Sequence, residues 1–195
     1  MHEINSIDKT FDIKLASEYH LSIQVGLDGF SFCILDIHRR KYIVFQHIPL
    51  IVGKLQFLSK KVESIFDQDE KLNASYQSVS ITYSTNNATL FPKEYSEPAN
   101  LLKIAALTNE ISRNEDIRAE DLPGFDYQLV YSYPKELMNL LNRKYTEFQF
   151  RHKSLPLLAT VTNQRNEKKN TLLINFEKKY IRMIGLKGAQ IALYN

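Results

Sequence analysis

The chain has 195 residues, of which 44% are apolar, and its 25 basic and 22 acidic side chains leave a formal charge of +3. That is enough apolar material to pack one large domain or two ordinary lobes, so a disordered chain and a polycation that holds nucleic acid by charge alone are both excluded. The single cysteine, Cys33, rules out an intramolecular disulfide and a multi-cysteine zinc site, and points to a reducing compartment.

The opening stretch MHEINSIDKTFDIKL lacks a basic region followed by a continuous apolar run, so no secretory signal is expected. Further along, no apolar stretch approaches the ~20 residues of a membrane-crossing helix. A soluble, cytoplasmic protein without a membrane span is the expectation. From residue 21 the pattern predicts three consecutive strands, LSIQVGL, FSFCILDI and YIVFQHI. Asp28-Gly29 stands in the first turn, a pair suited to the positive φ angles of a tight hairpin, and His38-Arg39-Arg40-Lys41 stands in the second.

The next segment, VGKLQFLSKKVESIF, carries Leu55, Leu58, Val62 and Ile65 near helical spacing and reads as an amphipathic helix. SVSITYS alternates apolar and hydroxyl residues at period two, as a strand does, and ATLFP extends it after Asn86-Asn87. A helix is expected from about Ser96, with Pro98 in its first turn. SRNEDIRAEDLPG, residues 112–124, reads as an exposed connection. DYQLVYSY then predicts a strand, PKELMNLLNRKY a helix, FQF a short strand, and the segment opening at Ser154 with Pro156 in its first turn another helix. TLLINF, KYIRMIGL and AQIALYN repeat the opening three-strand theme about 150 residues later, with Lys187-Gly188 in the second turn. No short-period repeat or low-complexity tract is visible.

This order of elements resembles the actin-like ATPase fold, in particular PilM of type IV pilus assembly, FtsA of cell division, and an uncharacterised Bacteroidota family of that fold. The central stretches VYSYPKELMNLLNRKY and FQFRHKSLPLLATVTNQ carry the resemblance most strongly. It implies an α/β chain of two ribonuclease-H-like lobes with mixed sheets, each opening with an antiparallel three-strand meander. Residues 1–145 would form the first lobe, with an N-terminal extension over 1–20. Residues 146–195 would form the crossover and the start of a truncated second lobe, the chain being a fragment.

In that family two loops surround the nucleotide phosphates, and their carboxylates hold magnesium and orient the attacking water. The resemblance places SIQVG, LDG and Ser31 on the first loop, so that Gln24 stands where the family has Asp, followed by Gly26, Asp28 and Gly29. LLINFEKKYIRMIG falls on the second, with Asn175 at the acidic position and Glu177 where the family has Gly. A neutral amide gives a metal no charge, and Glu177 brings a negative side chain where phosphate would approach. Metal-assisted hydrolysis is therefore not expected at these loops, and ribonuclease H chemistry, which also needs clustered acids, is argued against by Gln24. Asp28 is read as a turn residue, with replacement of the missing carboxylate as the functional alternative.

The remaining motifs carry little chemistry. Gly53-Lys54 lacks the residues of a Walker loop, and His2, His20, His38, His47 and His152 show no HxH or HxxxH spacing, so each reads as a surface or structural histidine. Cys33 reads as a small core residue. Arg39, Arg40 and Lys41 form a solvated hairpin tip, or a contact for an acidic partner. The expectation is a catalytically silent, actin-like scaffold that binds a protein partner, with no metal and no cofactor required. Its rival is a divergent ATPase or switch, binding ATP and magnesium, whose site is completed by a missing C-terminal region. A weaker rival is nucleic-acid binding through the sheet and the basic tip, against which the absence of basic and aromatic interleaving argues. The oligomeric state is left open.

Overall fold

The computed structural model describes residues 3–164, 166–177 and 180–195. Among them the chain divides into two compact units, one of residues 1–86, 113–116 and 133–152, the other of residues 87–112, 117–132 and 153–195. No helix among the described residues is long and apolar enough to cross a membrane.

The first unit is organised by two-residue alternation in its central strands. Strands β1 (Ile4–Ile7), β2 (Tyr19–Gly26), β3 (Gly29–Asp36), β4 (Lys41–Pro49), β5 (Ser78–Ser84) and β9 (Gln149–His152) form one sheet in the order β1-β4-β3-β2-β5-β9. The expected meander is β2-β3-β4, and β1 adds a further antiparallel strand at its edge, with Ile4 opposite His47 and Ile7 opposite Val44. On the other side β2 pairs β5, and β5 pairs β9, both in parallel. Leu21, Ile23 and Val25 of β2, Phe30, Phe32 and Ile34 of β3, and Val79, Ile81 and Tyr83 of β5 are buried. Because successive strand side chains point to opposite faces, these residues make one apolar face.

Two amphipathic helices belong to this unit, α1 (Leu58–Gln68) and α3 (Lys135–Lys144). Each buries a stripe at helical spacing, Leu58, Val62, Ile65 and Phe66 in α1, and Leu137, Leu140 and Leu141 in α3. Phe66 ties sheet to helix, lying edge-on to Phe30 at 6.1 Å and to Tyr145 at 5.8 Å between ring centres. The Tyr145 hydroxyl, deep in this core, donates to the Leu72 carbonyl at 2.8 Å, which removes the cost of burying it.

In the second unit β6 (Ala88–Pro92), β7 (Glu115–Asp121) and β8 (Tyr127–Pro134) form a sheet of order β6-β8-β7, β7 and β8 each having an end in the first unit. ATLFP, expected to continue β5, is instead β6 of this separate sheet. The stretch 112–124, expected as an exposed connection, contains β7. Its sequence EDIRAED is charged at five of seven positions, with Asp116, Arg118 and Asp121 exposed and Glu115 buried, and leaves only Ile117 and Ala119 as apolar side chains to pack with Ile104, Ala105 and Val130. Charges on a strand guard its edge against pairing and also hide it in the sequence. Helix α2 (Leu101–Ala106), with Pro98 in the turn that precedes it, supplies Ile104 and Ala105.

The second meander follows as β10 (Thr171–Phe176), β11 (Ile181–Lys187) and β12 (Gln190–Tyr194), with α4 (Ser154–Asn163) packed on β10 and β11 through a stripe that includes Leu158 and Val161. Residue 179, expected at the start of the middle strand, lies outside the described residues. Lys187-Gly188 stands at the β11–β12 turn as expected, and Gly188 there holds φ of +60°, a conformation that favours glycine. The fold is thus α/β with mixed strand directions and two three-strand meanders.

Phe66→Ala should lower stability by about 3–5 kcal/mol, because it empties the junction of Phe30 and Tyr145. Phe176→Ala, at a side chain 76% exposed, should change it by less than about 0.5 kcal/mol. Urea unfolding of the two variants measures the contrast.

Candidate functional site

The positions expected at the first phosphate loop lie on the β2–β3 hairpin. Gln24 lies on the exposed face of β2, level with Ser31 of β3 and Thr82 of β5. Its neighbours across both strands are therefore hydroxyl-bearing, and the row is uncharged. Gly26 and Gly29 face each other at the hairpin end, leaving Leu27 and Asp28 as its exposed tip.

The positive φ expected at this turn is not used, since neither glycine nor the two tip residues has one. Space is what the glycines provide. A Cβ on Gly26 would lie 2.9 Å from Ser84, and one on Gly29 would lie 2.8 Å from the His47 ring. The Asp28 carboxylate leans back to within 3.3 Å of the same point above Gly26, which keeps it at the hairpin tip.

Ser31 meets His47 Nδ1 at 2.7 Å. The other ring nitrogen of His47, Nε2, is buried and has no hydrogen-bond partner among the described residues. His47 was not singled out by sequence, because its position beside Gly29 comes from the β3–β4 register and not from local spacing.

The basic tip is largely neutralised. Arg39 pairs with Asp36 at 3.6 Å and its backbone N–H donates to the same carboxylate at 2.8 Å. Lys41 reaches Asp8 at 2.6 Å, and hydrogen bonds from Lys41 and Thr10 hold the Asp8 carboxyl well below the usual range. All three are exposed, and Arg40 stands at the apex with φ of +51°.

In the second unit, Asn175 on β10 lies opposite Arg182 on β11, and Glu177 follows just after β10. Glu177 is held by two cations, Lys153 at 2.5 Å and Arg182 at 3.8 Å, with all three side chains at most 17% exposed. Asn175 donates its amide to the same carboxylate at 3.3 Å. An Asp at 175 would set a second negative charge against Glu177, so the amide at 175 and the carboxylate at 177 belong together. Arg182 also donates to the Tyr194 hydroxyl at 3.2 Å and the Asn195 carbonyl at 2.9 Å, anchoring β12 to the same group.

The remaining expected structural residues have structural partners. His152 is fully buried, with Nε2 3.0 Å from the Thr85 carbonyl oxygen. Cys33 lies half-buried on the hydroxyl-bearing face and not in the apolar core, level with Ser22, and burial pushes its thiol up and away from the reactive thiolate. His38 is exposed, and His2 lies outside the described residues. Among the described residues no three His, Cys, Asp or Glu side chains gather as a metal would require.

A family model described as a protein of unknown function (DUF3822) matches residues 8–195. Among solved structures, a Bacteroides thetaiotaomicron VPI-5482 protein described as having an actin-like ATPase fold and unknown function superposes with a TM-score of 0.84. It is 21% identical, over 95% of this chain and 72% of that one. A PilM–PilN type IV pilus biogenesis complex superposes with a TM-score of 0.50 at 10% identity, over 90% of this chain and 60% of that one. Among curated proteins none matches. At these identities the likeness is one of fold, and the fold is that of the actin-like ATPases.

Glu177→Ala leaves Lys153 and Arg182 buried without their counter-charge and should cost about 3–5 kcal/mol, a fall of roughly 10 °C in Tm for a chain of this size. Glu177→Gln, which keeps a hydrogen-bonding oxygen, should cost less. Calorimetric melting of both variants checks the order.

Proposed function

The chain belongs to the DUF3822 family, and within it we propose that this protein is a catalytically silent member of the actin-like fold that acts as a cytoplasmic scaffold for a protein partner. The observation that carries the reading is the state of Glu177. Its carboxylate is engaged by Lys153, Arg182 and Asn175 inside one unit, so it is spent on local charge balance. Gln24, at the corresponding point of the other loop, lies in an uncharged row with Ser31 and Thr82. A magnesium ion bound between phosphates needs anionic oxygens, and these two positions supply none that is uncommitted.

Partner binding is supported by the surface that remains. On the face of the second meander turned away from α4, Leu172, Ile174, Phe176, Ile181 and Leu193 are each at least 39% exposed. A contiguous apolar surface on a sheet favours being covered. The PilM structure of similar fold is a complex with PilN. Nucleic acid fits less well, since two of the three cations at the basic tip already face carboxylates.

One observation favours the rival of a nucleotide-binding switch. The β2–β3 hairpin keeps two glycines whose backbone stays bare, with the unpartnered Nε2 of His47 nearby, and a phosphate could approach there without magnesium. Titration calorimetry with ATP, with and without magnesium, separates the readings. The scaffold reading expects no heat at millimolar nucleotide in either case. Micromolar binding that depends on magnesium would overturn it, and binding independent of magnesium but lost in His47→Ala would establish the switch-like alternative.

A further inference from the structure

A cavity of about 650 Å³ opens at the amino ends of β2, β5 and β9. It lies at the far end of the same strands from the Gly26–Gly29 hairpin, about 20 Å away at the rise of an extended chain. Its volume is that of a small-molecule site, which spans about 300–1,000 Å³. His20 and Ser78 stand in its wall, together with Gln77 and Gln149.

The parallel register sets His20 level with Ser78, and the imidazole spans two hydroxyls of β5, Nδ1 2.7 Å from Ser78 Oγ and Nε2 2.9 Å from Ser80 Oγ. The direction of each hydrogen bond is set by the tautomer of His20. Ser80 can give its one hydroxyl proton to Ser22 Oγ at 3.2 Å, and in that arrangement it accepts from Nε2 of His20. A neutral imidazole protonated at Nε2 presents a lone pair at Nδ1. In this tautomer the exposed Ser78 hydroxyl points its proton at a base. Burial lowers the pKa of His20, which keeps the ring neutral and able to accept that proton. Nucleophile, base and a group that orients the base are the arrangement of serine acyl transfer, and nothing in the local sequence shows it because the two strands are 58 residues apart.

We propose that Ser78 is a nucleophilic serine, with His20 as its base and Ser80 as positioning residue, which takes an acyl group from small carboxylic esters entering this cavity. Ser78 Oγ forms a bond to the ester carbonyl carbon while its proton passes to His20 Nδ1. The carbonyl electrons move to oxygen, where the Gln77 or Gln149 amide can donate. Collapse breaks the ester C–O bond, and the alcohol leaves with the proton from Nδ1. Water, deprotonated by His20, then releases the acid and restores Ser78. A hydroxyl behind the imidazole stabilises the imidazolium less than a carboxylate would, so the activity is slow and suited to activated esters. This site is separate from the phosphate-loop positions; the proposed silence is that of those loops toward nucleotide, so a reactive Ser78 and the scaffold reading are tested independently.

The test uses p-nitrophenyl acetate and an aryl fluorophosphonate on the intact chain, with the modified peptide located by mass spectrometry. The expected result is a stoichiometric burst of p-nitrophenol and a label on Ser78, absent in Ser78→Ala at unchanged Tm. His20→Gln should slow labelling by about 100-fold or more. Ser80→Ala should slow it as well, and Ser80→Thr, which keeps the hydroxyl, should restore it. An unlabelled Ser78, or a label that forms equally fast in His20→Gln, overturns the proposal.

Discussion

The register of β2 is the constraint on which the first unit depends. It pairs antiparallel with β3 and parallel with β5 at once, so its alternation is read on both sides. Leu21, Ile23 and Val25 fall on the apolar face, while His20, Ser22 and Gln24 fall on the other. A slip by one residue would exchange the two sets and bury an imidazole, a hydroxyl and an amide in the core. The chemistry-bearing row is thus held in place by side chains that carry no chemistry.

That division explains how much could be read beforehand. The meanders, α1 and α3 were legible because their apolar residues recur at period two or near 3.6, a signal contained in any short window. Strand β7 was not, since charged residues at Glu115, Asp116, Arg118, Glu120 and Asp121 outweigh the two small apolar positions that pack. The hairpin at Asp28-Gly29 was placed correctly for an incorrect reason. The dipeptide suggests a backbone angle, whereas Gly29 answers to the ring of His47, which arrives from β4.

Which residues share the first hairpin was legible, and which polar groups meet was not. Gln24, Gly26 and Ser31 could be placed on the β2–β3 pair from the order of elements. That Glu177 is balanced by Lys153 and Arg182 depends on how α4 starts and how β11 pairs, and no spacing rule connects residues 24 apart through a helix and a strand. The same holds for His20 and the β5 serines. Local sequence encodes which elements form, and only their assembly decides which polar groups meet.

An uncharged residue at 24 is compatible with the fold for the same reason. Gln24 lies on the exposed face of β2 and does not pack the apolar core, so the fold does not depend on a charge there. The segment around Glu177 is more constrained. With Lys153 and Arg182 nearly buried, a negative charge at 177 is required for stability, and with that charge in place Asn175 is better than Asp. The residues at 175 and 177 therefore support one another, and an acidic side chain at 175 alone would cost stability before it could supply a metal ligand. The charge pattern of this loop is set by folding, and the function of the protein is to be sought in the surfaces that folding leaves open.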